Sequence, residues 1–161
     1  MHCNIVLISA CSVYKNSARQ KGGGFYFDDS FKIVILKATF QNNTAIKGAC
    51  IYAIRMNYLT IQHSIQKDNL VTSEGGIYID NENVKMKSQT SIIASMFKNN
   101  NAVFDGAALS IKMVQYFYLD SVKFGGISQI SISSSVVSLK VDTLYASNVK
   151  ITNITAGIAQ I

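Results

Sequence analysis

The chain has 161 residues, enough for one domain with a substantial core, and 48% of them are hydrophobic, which excludes a disordered tail. Charged residues make up only 15%, and the net charge of +6 comes from scattered lysines with two arginines, Arg19 and Arg55, so the linear sequence shows no basic stripe and no nucleic-acid partner is expected. Three cysteines (Cys3, Cys11 and Cys50) make neither a disulfide framework nor a paired metal spacing, and no apolar run reaches the roughly 18 residues that span a bilayer.

Taken in chain order, the elements repeat. Residues 4–11 (NIVLISAC) are apolar, and Ile8 to Cys11 loosely resembles a lipobox. No basic region precedes it, and its register with later segments predicts a first strand instead of a leader. Val13-Tyr14-Lys15-Asn16-Ser17-Ala18 follows, a large apolar head with asparagine three positions on. Gly22-Gly23-Gly24-Phe25-Tyr26-Phe27 then places small residues before an apolar-Tyr-apolar strand. The first anchor returns as Phe40 to Ala45 and Phe97 to Ala102, and more weakly as Ile65 to Asp68, at Phe124, and as Ile151 to Ala156. The second returns as Gly48 to Ala53, Glu74 to Ile79, Gly106 to Ile111 and a degraded Val136 to Val141. A further strand, carrying Ile8, Ile35, Thr60, Ile92, Leu119 and Ala146, precedes each apolar head by five residues.

The heads at 13, 40, 65, 97, 124 and 151 imply an all-β fold: a right-handed parallel β-helix solenoid of about six coils, 25–32 residues each, with three short strands per coil. Absence of proline suits a chain made mostly of ladder-bonded strands. Strand alternation sends Phe25, Ile51, Ile77, Leu109 and Leu139 inward and Tyr26, Tyr52 and Tyr78 outward, the latter as an exposed column that could meet a glycan or protein ligand. At one turn Asn16, Asn43, Asp68 and Asn100 are expected to stack as a structural ladder. Asp80, Lys112 and Asp142 are expected to alternate in sign on adjacent coils. The whole of 1–161 reads as one repeat domain, a piece of a longer solenoid with uncapped ends open to end-to-end stacking.

The pairing of Phe-x-x-Asn (40–43 and 97–100) with Gly-Ala-Cys-Ile-Tyr (48–52) resembles the Phe-x-x-Asn and Gly-Gly-Ala-Ile-Tyr repeats of chlamydial polymorphic outer-membrane proteins and related β-helix proteins of the pectin-lyase-like fold. Surface proteins of ciliated protists are similar in kind, and the Asn, Lys, Ile and Tyr usage suits an AT-rich genome. That resemblance implies adhesion or display at a cell surface or outside the cell; the autotransporter barrel of the bacterial family has no counterpart in this sequence.

Because the same fold family includes lyases and glycosidases, carbohydrate chemistry is the competing expectation, and it needs two carboxylates on one face, about 5–9.5 Å apart. Asp28 with Asp29, Asp80 with Glu82, and Asp105 are the candidates; adjacency sends the first pair to opposite faces, and the second follows a strand end in a polar turn. Arg55 falls one coil from Asp29 and reads as a surface pair. His63, in a slot shared with Ala38, Ser95 and Val122, reads as a packed or hydrogen-bonded residue. Gly22-Gly23-Gly24 precedes no helix and so is no phosphate loop, Ser133 to Ser135 shows no nucleophile signature, and neither catalytic residue, metal nor cofactor is expected. Asn42-Asn43-Thr44 and Asn153-Ile154-Thr155 match the glycosylation pattern. The sequence therefore points first to a non-catalytic surface or adhesive module, then to a carbohydrate-active enzyme, or to a structural element of a larger assembly.

Overall fold

A computed structural model describes residues 4–82, 87–104, 106–129 and 136–154. Among these the regular structure is all strand, every pairing is parallel, and the chain winds as a β-solenoid. Successive coils begin at Ile5, Lys32, Tyr58, Gln89 and Tyr116, each in register with the next, and Thr143 opens a sixth, incomplete coil. The longer step from Tyr58 to Gln89 is taken up after Asp80, where the next strand starts nine positions on and not four as after Asp28 or Ile54.

Three sheets line the coil. The six-stranded sheet stacks Ser12–Tyr14, Thr39–Gln41, Ile65–Lys67, Met96–Lys98, Lys123–Gly125 and Lys150–Thr152. The four-stranded sheet stacks Thr44–Lys47, Leu70–Glu74, Asn101–Ala102 and Ser128–Gln129. The nine-stranded sheet is entered twice per turn, by rows such as Ile5–Ser9, Lys32–Leu36 and Tyr58–Gln62 and by rows such as Phe25–Asp28, Ile51–Ile54 and Ile77–Asp80. The two rows fuse in the long strands Leu109–Asp120 and Val137–Ser147, where only a bulge at Met113 remains of the corner.

Each corner turns on one residue in the left-handed region. Ala10, Lys37, His63, Ala94, Ser121 and Asn148 form one such column; Lys15, Asn42, Asp68, Asn99, Gly126 and Asn153 form the next. The second column is mostly Asn, Asp or Gly, the residues that tolerate this conformation best. At the third corner Gly22, Gly48, Gly75 and Gly106 recur, and a Cβ on Gly22 would come within 2.7 Å of the Phe25 carbonyl.

Apolar columns fill the interior, with Ile33, Leu59 and Phe117 from one wall, Phe40, Phe97 and Phe124 from the second and Ile51, Ile77 and Leu109 from the third. At the turn after the phenylalanine wall, asparagines join coil to coil. Asn16 donates from backbone and side chain to Asn43 Oδ1 (3.0 and 3.1 Å), Asn43 to Asn69 Oδ1 (2.9 and 3.1 Å), and Asn69 to Asn100 Oδ1 (3.1 and 3.0 Å). The second Nδ2 proton of Asn43, Asn69 and Asn100 goes to the carbonyl of Val13, Phe40 and Gln66 respectively. All the amides point the same way, and the run stops where Ile127 replaces asparagine.

The third coil departs from expectation by one residue. Gln66, not Ile65, lies in register between Phe40 and Phe97; it is 1% exposed, while Ile65 is 39% exposed. A slip of one reverses every side chain in a strand. The buried positions are therefore Ile61 in place of the expected Thr60 and Asn69 in place of the expected Asp68. Ser64 replaces His63 in the column of Ala38 and Ser95, where serine hydroxyls accept from the Ala38 and Ser64 amides; His63 is exposed at the corner. In the fifth coil the slip is two residues: Leu109 pairs with Val137, not Leu139. An even slip keeps the inner face, so Leu139 still points inward beside Ile111, but Asp80 and Lys112 are followed by Lys140 and not by Asp142.

Candidate ligand-binding face

The tyrosine column forms as an outward row, yet it is not an open surface. Tyr26 stacks on Tyr52 (centroids 5.2 Å) and Tyr52 on Tyr78 (5.0 Å), the rings nearly parallel. Tyr26 is 50% exposed, but Tyr52 and Tyr78 are only 5% and 4% exposed, which corrects the expectation of three accessible rings. Lysines of neighbouring coils cover them: Lys21 lies 5.0 Å from the Tyr52 centroid, and Lys47 and Lys112 lie 5.1 and 5.4 Å from that of Tyr78. The aliphatic stems shield the rings while the ammonium groups meet the π faces. Burial, followed by donation of its hydroxyl to Asp80 (3.0 Å), pushes the Tyr78 phenol well above its usual range.

Glu74 ties this cover together, bridging Lys112 (2.9 Å) and Lys47 (3.1 Å). Burial raises its carboxyl, but hydrogen bonds and charge from Lys112 and Lys47 together outweigh that, and the net displacement is downward. A carboxyl lowered in the folded state adds stability above its unfolded value and loses it as pH falls through the folded value. Glu74→Gln is therefore expected to lower the melting temperature at pH 7 and to flatten the loss of stability on acidification below about pH 4.5, the ordinary carboxyl value. Melting curves of both proteins from pH 7 to pH 2.5 check this; parallel acid limbs would exclude Glu74 as a contributor.

Of the acids considered for carbohydrate chemistry, Asp28 and Asp80 are engaged in local contacts. Asp28 pairs with Arg55. Asp80 accepts from the Tyr78 hydroxyl and the Glu82 amide (each 3.0 Å). Asp28 and Asp80 share one column two coils apart, about 10 Å by strand spacing. Asp105 and residues 133–135 lie outside the described residues. Cys50 is fully buried and burial pushes its thiol up, away from reactivity. Among the described residues no group of three His, Cys, Asp or Glu could hold a metal ion, and no helix is long and apolar enough to cross a membrane.

A concave site lies elsewhere, on the outer surface of the six-stranded sheet. Lys123 stacks on Lys150 and Lys67 on Lys98, and the two pairs meet where Met96 pairs with Lys123 and Lys98 with Gly125. Gly125 and Gly126 remove the side chains that would fill the gap, leaving a groove of about 360 Å³ edged by Lys98, Lys123, Lys150 and Thr152. None of the four lysines has an ion-pair partner among the described residues. The nearby Asp68 instead accepts from Gln41 (3.3 Å) and Asn99 (3.2 Å).

Comparison with protein-family models, curated proteins and solved structures gave no match.

The groove is not visible in the linear sequence, because its lysines, Lys98, Lys123 and Lys150, are 25 and 27 positions apart in chain order, and Lys67 beside them is 31 before Lys98. Aligning the coils on Phe40, Phe97 and Phe124 with Gln66 as the third head brings them together. Asn42, the first residue of one glycosylation pattern, is half-buried at a corner, and Asn153, the first of the other, is exposed at the groove's far end.

Proposed function

We propose that the chain is a non-catalytic surface or adhesive module, a rigid solenoid that presents the lysine-edged groove to a ligand outside the cell or at its surface. The carrying observation is that Lys98, Lys123 and Lys150, from three successive coils and without carboxylate partners among the described residues, converge on a notch floored by glycine, with Lys67 stacked beside Lys98 on the next coil. Like charges stacked directly over one another destabilise a sheet, so the arrangement is one that a bound ligand would relieve. The sequence resemblance to surface-displayed β-helix repeats supports the same reading, as does the engagement of Asp28 and Asp80 in structural contacts.

Gly125→Gln tests it, since Gly125 is not in the left-handed region and a Cβ there meets first the Thr152 hydroxyl at 3.2 Å. The substitution should leave the unfolding curve within about 0.5 kcal/mol of the parent, as exposed sheet positions do, and should abolish capture of whichever ligand a panel of neutral and acidic glycans and surface proteins identifies. Undiminished capture by the filled groove would remove it as the binding face.

A second reading, a structural element within a longer stack, is favoured by the last coil. Leu139, Leu144, Val149 and Ile151 line a wholly apolar cavity of about 110 Å³ in the last described coil. Further coils laid on this end would bury it and pair the edges of Val137–Ser147 and Lys150–Thr152, which have no next-coil partner among the described residues.

A further inference from the structure

We infer that the groove takes an acidic polysaccharide, one bearing sulfate or carboxylate groups, lying along the solenoid axis. This rests on the groove being the binding surface, and names what binds there.

Lys67, Lys98, Lys123 and Lys150 come from the third to the sixth coils, one from each. At about 4.8 Å per coil they span roughly 14 Å along the axis as a shallow diagonal of four positive charges. Such a row matches an extended chain with acidic groups at intervals better than it matches a single small anion. Between the charges lie neutral hydrogen-bonding groups, Asn99, Thr152 and Asn153, suited to sugar hydroxyls. The aromatic side chains beneath, Phe97 and Phe124, are each 1% exposed and stack on each other inside the wall. Within the groove no ring is therefore offered to a base, as stacking of a single-stranded nucleic acid there would need; the exposed Tyr14 of the same sheet lies two coils beyond Lys67. The face is also a flat sheet of short strands, with no helix or ribbon to enter a duplex groove.

The test titrates the chain with four probes: a sulfated glycosaminoglycan oligosaccharide, a polyuronate oligosaccharide, a neutral oligosaccharide of the same length, and single-stranded DNA of matched charge. The inference expects the two acidic sugars to bind and the neutral one not to. The double substitution Lys123→Gln and Lys150→Gln should weaken them by about tenfold or more and lower the slope of log affinity against log salt by about two, one for each lysine replaced. Lys32→Gln, on the nine-stranded sheet, should leave both quantities unchanged. DNA bound as tightly as the acidic sugars, with the same lysine dependence, would overturn the choice of polysaccharide. Neutral sugar bound, insensitive to the lysines but abolished by Gly125→Gln, would overturn the anionic assignment and leave the groove standing. Failure of every probe, with a protein ligand captured and then released by Gly125→Gln, would do the same, whereas acidic sugars bound by the filled groove would remove both.

Discussion

Asn69→Ala is expected to destabilise the solenoid by about 3–5 kcal/mol, far more than a polar residue in a turn segment would imply. The Asn69 side chain is 2% exposed and makes four hydrogen bonds. Its Oδ1 accepts from the Asn43 backbone and side chain; its Nδ2 donates to the Phe40 carbonyl and to Asn100 Oδ1. Truncation leaves the Asn43 amide without an acceptor, in a place water does not reach, and each orphaned buried group costs about 1–3 kcal/mol. Asn69→Asp keeps the shape but replaces a donor with an acceptor facing two oxygens, and should be at least as harmful at neutral pH. Asn16→Ala provides the contrast: Asn16 is exposed at the end of the run and its side chain only donates, so about 1 kcal/mol is expected. Urea unfolding of the three variants decides the matter. If Asn69→Ala and Asn16→Ala cost the same, the ladder is not what joins the coils.

Gln66→Met should do the opposite and stabilise the protein by about 2 kcal/mol. Gln66 lies in register between Phe40 and Phe97, 1% exposed, and both atoms of its side-chain amide lack hydrogen-bond partners. Methionine keeps the length and volume, removes the unmet polar atoms and adds a sulfur that packs well beside aromatic rings. The neighbouring change Ile65→Gln should be nearly silent, within about 0.5 kcal/mol, because Ile65 is 39% exposed on the outer face. The pair discriminates sharply between registers. With Ile65 inward, as its hydrophobicity alone implies, Ile65→Gln would be ruinous and Gln66→Met neutral.

That pair also shows where the sequence is legible and where it is not. Phe40 and Phe97, each three positions before asparagine, are strong signals because an inward aromatic and a corner amide recur together, and their shared column places Asn43 and Asn100 correctly. Gln66 hides the third head: a buried polar residue carries no hydrophobic signal, and the adjacent isoleucine attracts the register by one position. The same displacement puts Asp68 where Asn69, the central rung, belongs. In the fifth coil a displacement of two does little damage, since alternation has a period of two and Val137 and Leu139 both face inward. The cover over Tyr52 and Tyr78 is hidden for a different reason: it comes from Lys21, Lys47 and Lys112, which are about 30 positions from the rings they cover and reach them only once the coils are stacked. The basic groove is concealed likewise, as its charges are single residues on separate coils. Stacking creates it, and composition has no trace of it.

Paired spin labels measure the stacking itself most directly. Ser12, Thr39, Ile65, Met96, Lys123 and Lys150 form one outward column, a residue per coil. With the native cysteines replaced by serine or alanine, labels at 12 and 123 should lie about 19 Å apart and labels at 12 and 150 about 24 Å, each added coil contributing roughly 4.8 Å. Separations that failed to grow by one coil spacing from the first pair to the second would show that these residues do not lie over one another, and the groove, the ladder and the buried Gln66 would all have to be abandoned.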